Sequence, residues 1–320
     1  MNEKPTIKHR ILDLGNTLSL TIALLLLSSV WGILSEHFFT MQNIMNVLML
    51  ASVLAIRAAG LTVAMIMGGM DVSQNSIGAV VALLAAIASD SGAPWWAVVL
   101  LVLVVSPLMG AVNATLITFF RIAPIITTLG TMQIFRGAAW LISNTTIMLR
   151  DPVQLEFGRG RLFGVMPYMA LIAIAILGIT YFILKYTTFG REVYMVGGNE
   201  NASYLCGINA KKVKFIAFVF SGLTAGIAGY LLSCQVGAAL PQSGAGTEML
   251  TISAVILGGV SLAGGKGKIS GTILGVLILQ VINNGLTLQG IDHYWQMVVS
   301  GLVLVLAVLI DVIRSGVLKK

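Results

Sequence analysis

Residues 95–110 read WWAVVLLVLVVSPLMG, and residues 20–34 read LTIALLLLSSVWGIL. Neither run reserves a polar face, whether side chains are counted at helical or at strand spacing. A segment of this kind is stable where its whole circumference meets hydrocarbon, and there a helix closes its own backbone hydrogen bonds. Barrel strands would instead show as alternating segments of about 10 residues. Similar runs recur along the 320-residue chain, which is 57% hydrophobic and only 10% charged. That composition excludes an ordinary soluble domain. The fold class is therefore all-α, a polytopic membrane helical bundle, with residues 1–320 expected to form a single transmembrane domain.

The runs place about ten transmembrane helices, over 14–34, 44–67, 75–89, 95–119, 124–147, 166–184, 215–235, 249–263, 269–286 and 295–313. The N-terminus carries Lys4, Lys8 and Arg10 ahead of an apolar run over 18–34. No small-x-small cleavage site follows, so the run reads as a retained first span. The third span is short, at roughly 15 residues against the ~17 needed to cross a bilayer. It follows a break, GGMDVSQNS (68–76). Either the break lies at the cytosolic face or one helix is discontinuous there, with irregular backbone inside the membrane against protein or a wet cavity. The second arrangement is the expected one.

A net charge of +7 raises nucleic acid as a partner, but the cations are dispersed over many inter-span loops and make no single patch. No nucleic acid is expected. With ten spans both termini lie on one side. If that side is the cytoplasm, it holds fourteen Lys and Arg, including Arg121, five in 185–214, Lys266 and Lys268, against Arg150, Arg159 and Arg161 outside. That asymmetry fits the retention of Lys and Arg in cytoplasmic loops.

Polar groups within spans are costly and usually face a cavity or a partner. The charged ones are Arg57, Asp71 and Arg136; the neutral ones are Asn75, Asn113, Thr127, Thr128, Gln280, Asn283 and Asn284. For Arg57 and Arg136 an internal ion pair or a cap on a carbonyl is the plain reading. A pathway for a neutral polyol needs uncharged amides and hydroxyls that exchange hydrogen bonds with the solute, and Asn113, Thr127, Thr128, Asn283 and Asn284 meet that need. An ion-coupled carrier needs several buried carboxylates, and this chain offers at most one. A faint repeat links residues 64–87 with 254–279: each has an apolar lead, a Gly pair, a polar break and a second apolar helix. Such repeats often flank a transport pathway. Within the spans, Gly222, Ala225, Gly226 and Gly229, and likewise Gly271 and Gly275, read as packing surfaces for closely approaching helices.

Soluble chemistry is scarce. His9, His37 and His293 are far apart in the chain, with no metal-site spacing. Cys206 and Cys234 fall at opposite ends of one crossing and cannot pair. GGVSLAGGKGK lacks the Gly spacing of a phosphate loop, since Val260 and Leu262 stand where its first Gly belongs. Pro107 reads as a kink and Pro124 as a helix start.

The long polar interruption is residues 185–214, KYTTFGREVYMVGGNENASYLCGINAKKVK. Asn199 is suited to cap a helix of about two turns that opens with Glu200, Asn201 and Ala202 and stops near Gly207. A helix so short persists only when held against something, and Tyr204, Leu205 and Ile208 supply an apolar face. A transporter with such an element and no nucleotide site of its own draws its force from a separate ATPase.

GREVYMVGGNENASYLCGIN (190–209), TISAVILGGVSLAGGKGKISGTILGVLI (251–278) and NNGLTLQGI (283–291) together resemble the permease subunits of ribose-type ABC importers. That group includes arabinose, xylose, galactose, allose and autoinducer-2 permeases. GGMDVSQNS and GAVNATLITFFRIAPIITTLGTMQIFRGAA (110–139) are similar to two further elements of the family, in the same order. Departures occur at Gln74 and Asn75, at Ala114 and at Ala123. The resemblance implies a coupling helix within Gly197, Gly198, Asn199, Glu200, Asn201, Ala202, Leu205, Gly207 and Ile208. It also implies that Gly68, Gly69, Asp71, Ser73, Asn113, Thr128, Gly130 and Arg136 surround or brace the pathway. The implied function is ATP-driven import of a monosaccharide, a ribose-like pentose or a hexose, by alternating access. The alternatives are an ion-coupled secondary transporter of a small polar solute and ABC import of a non-sugar such as autoinducer-2. The implied partners are a cytosolic ABC ATPase, a periplasmic sugar-binding protein, a second permease copy as homodimer or sister subunit, and membrane lipid. The permease itself is implied to be non-catalytic, without a cofactor, and multi-pass in the bacterial inner membrane with both termini cytoplasmic.

Overall fold

The computed structural model describes residues 7–315, with side chains from 17 to 309 apart from His293. Lys4, Lys319 and Lys320 lie outside the described residues, as do the side chains of Lys8, His9, Arg10, His293 and Arg314. In chain order the helices are α1 (Ile7–Leu34), α2 (Met41–Ile66), α3 (Gln74–Asp90), α4 (Trp95–Thr118), α5 (Pro124–Ile142) and α6 (Pro152–Arg159). They continue with α7 (Tyr168–Tyr186), α8 (Thr188–Gly198), α9 (Glu200–Leu205), α10 (Ala210–Val236), α11 (Glu248–Leu257), α12 (Ile269–Leu288) and α13 (His293–Ser315). Four two-residue strands make two antiparallel pairs: β1 (Ile147–Met148) with β4 (Ala238–Ala239), and β2 (Arg161–Leu162) with β3 (Met166–Pro167).

The chain is a helical membrane bundle, but its span count differs from ten. Among the described residues seven helices are long and apolar enough to cross a membrane, and three more apolar helices are shorter. The short ones are α3, α11 and the apolar part of α13. The reason lies in the breaks. The apolar run drawn over 249–263 stops being helical at Leu257, because Gly259 turns left-handed at φ 87° and the chain then loops to Lys268. Likewise the run drawn over 124–147 stops being helical at Ile142, and its last residue, Ile147, opens β1, which pairs with β4.

α2 and α10 are the central helices. Every residue of α2 from Ala51 to Ile66 is buried, as expected of a helix apolar on all sides. α10 packs on α4, α2 and α3, and glycines set the distance. A Cβ added to Gly222 would sit 2.6 Å from Cα of Gly110, and one on Gly110 would sit 2.5 Å from the Phe218 carbonyl oxygen. Gly229 meets the backbone of Gly78, Gly226 meets Ser106, and Gly275 of α12 meets the Ala254 carbonyl of α11. Small residues let these backbones touch.

The two ends of α10 define the two faces of the bundle. At its N-terminus, Asn209 accepts from the Lys212 amide (3.1 Å), and α8 and α9 lie beside it. At its C-terminus, Gly237 closes the helix at φ 82°, while Arg159 of α6 donates to the carbonyls of Gln235 (2.8 Å) and Val236 (2.7 Å). A cation on the last carbonyls satisfies both the orphan acceptors and the helix dipole. Pro124 is the first residue of α5, as expected, and Pro107 lies within a continuous α4.

Leu at position 222 would drive a side chain into the Gly110 backbone, where overpacking costs at least ~1–3 kcal/mol. The Gly222→Leu protein is expected to lose its monodisperse peak on detergent size-exclusion chromatography. Gly178→Leu, where an added Cβ meets nothing within 4 Å, is expected to keep it.

Candidate functional site

The break after α2 builds the site. α2 ends in a left-handed turn at Gly68 (φ 89°), with the Gly68 amide bonded to the Met65 carbonyl (2.9 Å) and the Gly69 amide to that of Ala64 (2.8 Å). Gly68 is exposed, but the chain then re-enters the protein, and every residue from Asp71 to Ser76 is buried. The short helix expected near 68–89 is α3, and the 26-residue α2 is joined to it by a turn that dives back into the bundle.

Four helices satisfy that turn. Asp71 Oδ1 accepts from the amide (3.0 Å) and hydroxyl (2.6 Å) of Ser73, and Oδ2 accepts from Ser221 Oγ of α10 (2.7 Å). Asn113 of α4 donates to Ser73 Oγ (2.8 Å), and Thr128 of α5 donates to the Met70 carbonyl (3.0 Å). Gln74 donates to Ser221 Oγ (2.9 Å) and to the Arg57 carbonyl of α2 (3.1 Å). Gly68, Gly69, Asp71, Ser73, Asn113 and Thr128 thus come together.

A second irregular segment, residues 240–247, joins it from the opposite face. It leaves β4 beside the end of α10 and leads into α11, which has only 10 residues. Asn75, the second residue of α3, holds it by donating to the Gly244 carbonyl (2.7 Å) and to Thr247 Oγ1 (3.0 Å). Arg136 of α5 holds it from the side, with Nη1 bonded to the carbonyls of Pro241 (2.7 Å) and Ser243 (2.9 Å) and Nη2 3.7 Å from Glu248 Oε1. Arg57 is also within electrostatic reach of Glu248 and of Arg136. Arg136 is accordingly both a carbonyl cap and half of an ion pair.

Beside this segment a cavity of about 220 Å³ is lined by Thr247, Leu250, Asn283, Gln296 and Ser300. Asn283 faces it. Its neighbour Asn284 turns away, exchanging two hydrogen bonds with Asn43 (2.9 and 2.8 Å) that tie α12 to α2. Gly130 is exposed on α5, apart from the other residues. Thr127 is buried, and so is Gln280. Buried polar atoms without a protein partner include Arg57 Nε, Gln74 Oε1, Asn75 Oδ1, Asn113 Oδ1, Thr127 Oγ1 and Asn283 Oδ1, and of these residues Asn283 lines the cavity. Spare amide and hydroxyl groups held in place by others that are already bonded suit exchange of hydrogen bonds with a polyol.

Several members were not found by reading the sequence. Glu248 is a second largely buried carboxylate, so the expectation of at most one does not hold; it stands just before the run drawn over 249–263. Ser221 and Thr247 are small hydroxyls that carry no signal until their partners are known. Residues 185–214 are also more ordered than a loop: α8 fills 188–198 ahead of the expected short helix.

That short helix is α9. Asn199 caps it by accepting from the Ala202 amide (3.0 Å), Glu200 pairs with Lys214 (2.6 Å), and Gly207 closes it at φ 80°. Behind it Gly197 packs on the Ile66 carbonyl and on Gly265, leaving no room for a side chain. Tyr194 donates to the Gly267 carbonyl (2.8 Å), and half-burial pushes its hydroxyl pKa up. In front, Tyr204 is 76% and Leu205 85% exposed, so this pair has no cover among the described residues, whereas Ile208 packs on the core. A groove of about 530 Å³ runs along α9 between Arg121, Glu200, Tyr204, Ile208 and Lys211. Arg121 sits there at φ 58°, a conformation that favours glycine.

The chain matches the family described as branched-chain amino acid transport system / permease component over residues 43–308. It is 38% identical to the ribose import permease of Escherichia coli strain K12 over 295 residues, covering 91% of this chain and 92% of that protein. It is 32% identical to the D-allose transport system permease of the same organism, covering 90% and 89%. It is 31% identical to the autoinducer 2 import system permease of Photorhabdus luminescens, covering 94% and 91%. No solved structure matches it.

Asp71→Ala would strand three donors, each costing about 1–3 kcal/mol when buried unpaired. Its melting midpoint in detergent is expected to fall by at least ~5 °C. Asn283→Ala, which removes an oxygen with no partner, is expected to melt within ~1 °C of the parent.

Proposed function

We propose a function from the premise that this chain belongs to the branched-chain amino acid transport system / permease component family, as a permease of the ribose-type ABC sugar importers. It forms the membrane path of an importer that carries a monosaccharide, a ribose-like pentose or a hexose, into the cytoplasm. A separate ABC ATPase hydrolyses the nucleotide, a periplasmic binding protein delivers the solute, and a second permease copy completes the path. The membrane is the bacterial inner membrane, with both termini cytoplasmic.

The observation that carries this reading is the α9 tip. An exposed pair, Tyr204 and Leu205, stands on a helix too short to persist alone. Its backing is nevertheless firm, because α8 is wedged by Gly197 against the end of α2 and bonded through Tyr194 to the loop before α12. Such a tip suits a cleft in a partner. A push on α9 then reaches the Ile66 carbonyl, the Gly68 turn and the residues from Asp71 to Asn75 without passing through a flexible segment. ATP-driven closure of two ATPases would bring two such tips together and open the path outward; hydrolysis would return it. Asn75 and Arg136 hold the 240–247 segment, while the spare amide oxygens of Asn75, Asn113 and Asn283 and the Thr127 hydroxyl meet the sugar in passing.

Sidedness is tested first. Cys206, at the end of α9, is exposed and Cys234 is buried, so a membrane-impermeant maleimide reports on one site. Labelling is expected in inside-out vesicles and not in spheroplasts; labelling from outside would overturn the reading. In proteoliposomes holding the ATPase and the binding protein, Leu205→Asp and Glu200→Lys are each expected to cut ATP-dependent ribose uptake at least ~10-fold while insertion is unchanged, a loss of ~1.4 kcal/mol or more of coupling. Uptake driven by a proton or sodium gradient without the ATPase would favour a secondary transporter instead.

A further inference from the structure

Where the C-terminal end of α7 faces the N-terminal end of α12 the two helices scarcely touch, and the gap holds a cavity of about 440 Å³. Its walls are Tyr181, Leu184 and Lys185 of α7, Tyr194 of α8, and Lys268 and Ser270 at the start of α12. It therefore has cations on two opposite walls. Lys185 lies over the rings of Tyr181 (4.9 Å) and Tyr186 (5.1 Å), and among the described residues no carboxylate pairs with it. Ile269 and Ser270 open a 20-residue helix that has no side-chain cap on its first turn. Lysines on two helices beside an uncapped helix start make a surface complementary to phosphate.

The position narrows the source of that phosphate. α7 and α12 are both long and apolar enough to cross a membrane, so their adjoining ends lie at the level of the head groups. Tyr181, Phe182 and Tyr186 are exposed around Lys185, an aromatic belt of the kind found at that level. About two to three turns from Lys185 toward the start of α7, Ile179 and Ile174 are exposed too, so apolar surface lies beyond the cavity. We propose that this cavity binds the phosphodiester head group of an anionic phospholipid between Lys185 and Lys268, with its acyl chains along the outer face of α7. Because Tyr194 lines the same cavity and bonds to the Gly267 carbonyl, the lipid would brace the junction of α8 with the loop before α12.

The test is native mass spectrometry of the intact purified protein with dioleoyl phosphatidylglycerol, dioleoyl phosphatidylcholine or inorganic phosphate. The parent is expected to retain phosphatidylglycerol in preference to phosphatidylcholine, and Lys185→Gln with Lys268→Gln to lower that retention about tenfold or more. Lys211→Gln with Lys212→Gln, which removes the same charge beside α9, is expected to leave it unchanged. Equal retention in the first pair and the parent overturns the proposal, and so does equal retention of the zwitterionic lipid. Displacement of phosphatidylglycerol by millimolar inorganic phosphate also overturns it, since the site would then be one for a free anion. None of these outcomes depends on whether the chain carries a sugar.

Discussion

Non-helical backbone between Met67 and Ser73 lies against the core of a bundle whose interior supplies no water to hydrogen-bond it. In such surroundings each unpaired amide or carbonyl is costly, so the break can exist only if neighbouring helices bring polar side chains to it. They do, from α4, α5 and α10, through Asn113, Thr128 and Ser221, while the Arg57 carbonyl of α2 accepts from Gln74 just after the break. Asp71 is the centre of this arrangement, a buried carboxylate held by three donors and, among the described residues, by no cation. The relative placement of four helices follows from satisfying one short segment.

That requirement and the glycine pattern are the same constraint seen twice. A hydroxyl as short as that of Ser221 reaches Asp71 only if α10 lies almost in backbone contact with its neighbours. Ser221 and Thr224 press on Gly60 of α2, and one turn on, Gly229 presses on Gly78 of α3. Larger residues at these positions would separate the helices and leave the carboxylate without its partner. Close approach gains dispersion contacts that lipid cannot match, and the hydrogen bonds fix the rotation at which that approach occurs.

Much of this was legible in the sequence, and the rest was hidden for definable reasons. Continuous apolar runs reveal helices whatever their partners, so each expected span corresponds to a helix. Local signals held up as well: Asn199 caps α9, Gly207 ends it and Pro124 begins α5. Where a run stops being helical was not legible, because Val260, Leu262 and Ile147 are as apolar outside a helix as inside one. α8 was missed because TFGREVYMVGG has glycines at both ends and is helical by virtue of what Gly197 packs against. The role of Glu248 was invisible for a related reason. Its partner Arg136 lies 112 positions earlier in the chain, and only the folded segment of 240–247 brings them together.

The repeat between the two halves is a matter of backbone geometry more than of residues. The Gly259 amide bonds to the Ile256 carbonyl (2.8 Å) and the Val260 amide to that of Val255 (3.2 Å), the same scheme that ends α2. Gly68 therefore corresponds to Gly259, one residue off the alignment that the paired glycines suggest. The two copies then diverge according to their side chains. After Gly68 come Asp71 and Ser73, which can be buried because each is hydrogen-bonded, and the chain turns inward. After Gly259 come Gly264, Gly265 and two lysines, and the chain stays at the surface, where Lys266 and Lys268 are exposed. The Gly265 amide still reaches the Ile66 carbonyl (2.7 Å), and Gly197 of α8 packs against both. One contact of three backbones thus joins the inward turn, the outward turn and the support of α9. Such a contact leaves little slack, since glycines have no side chains to rearrange, and a displacement of any one segment must be passed to the other two.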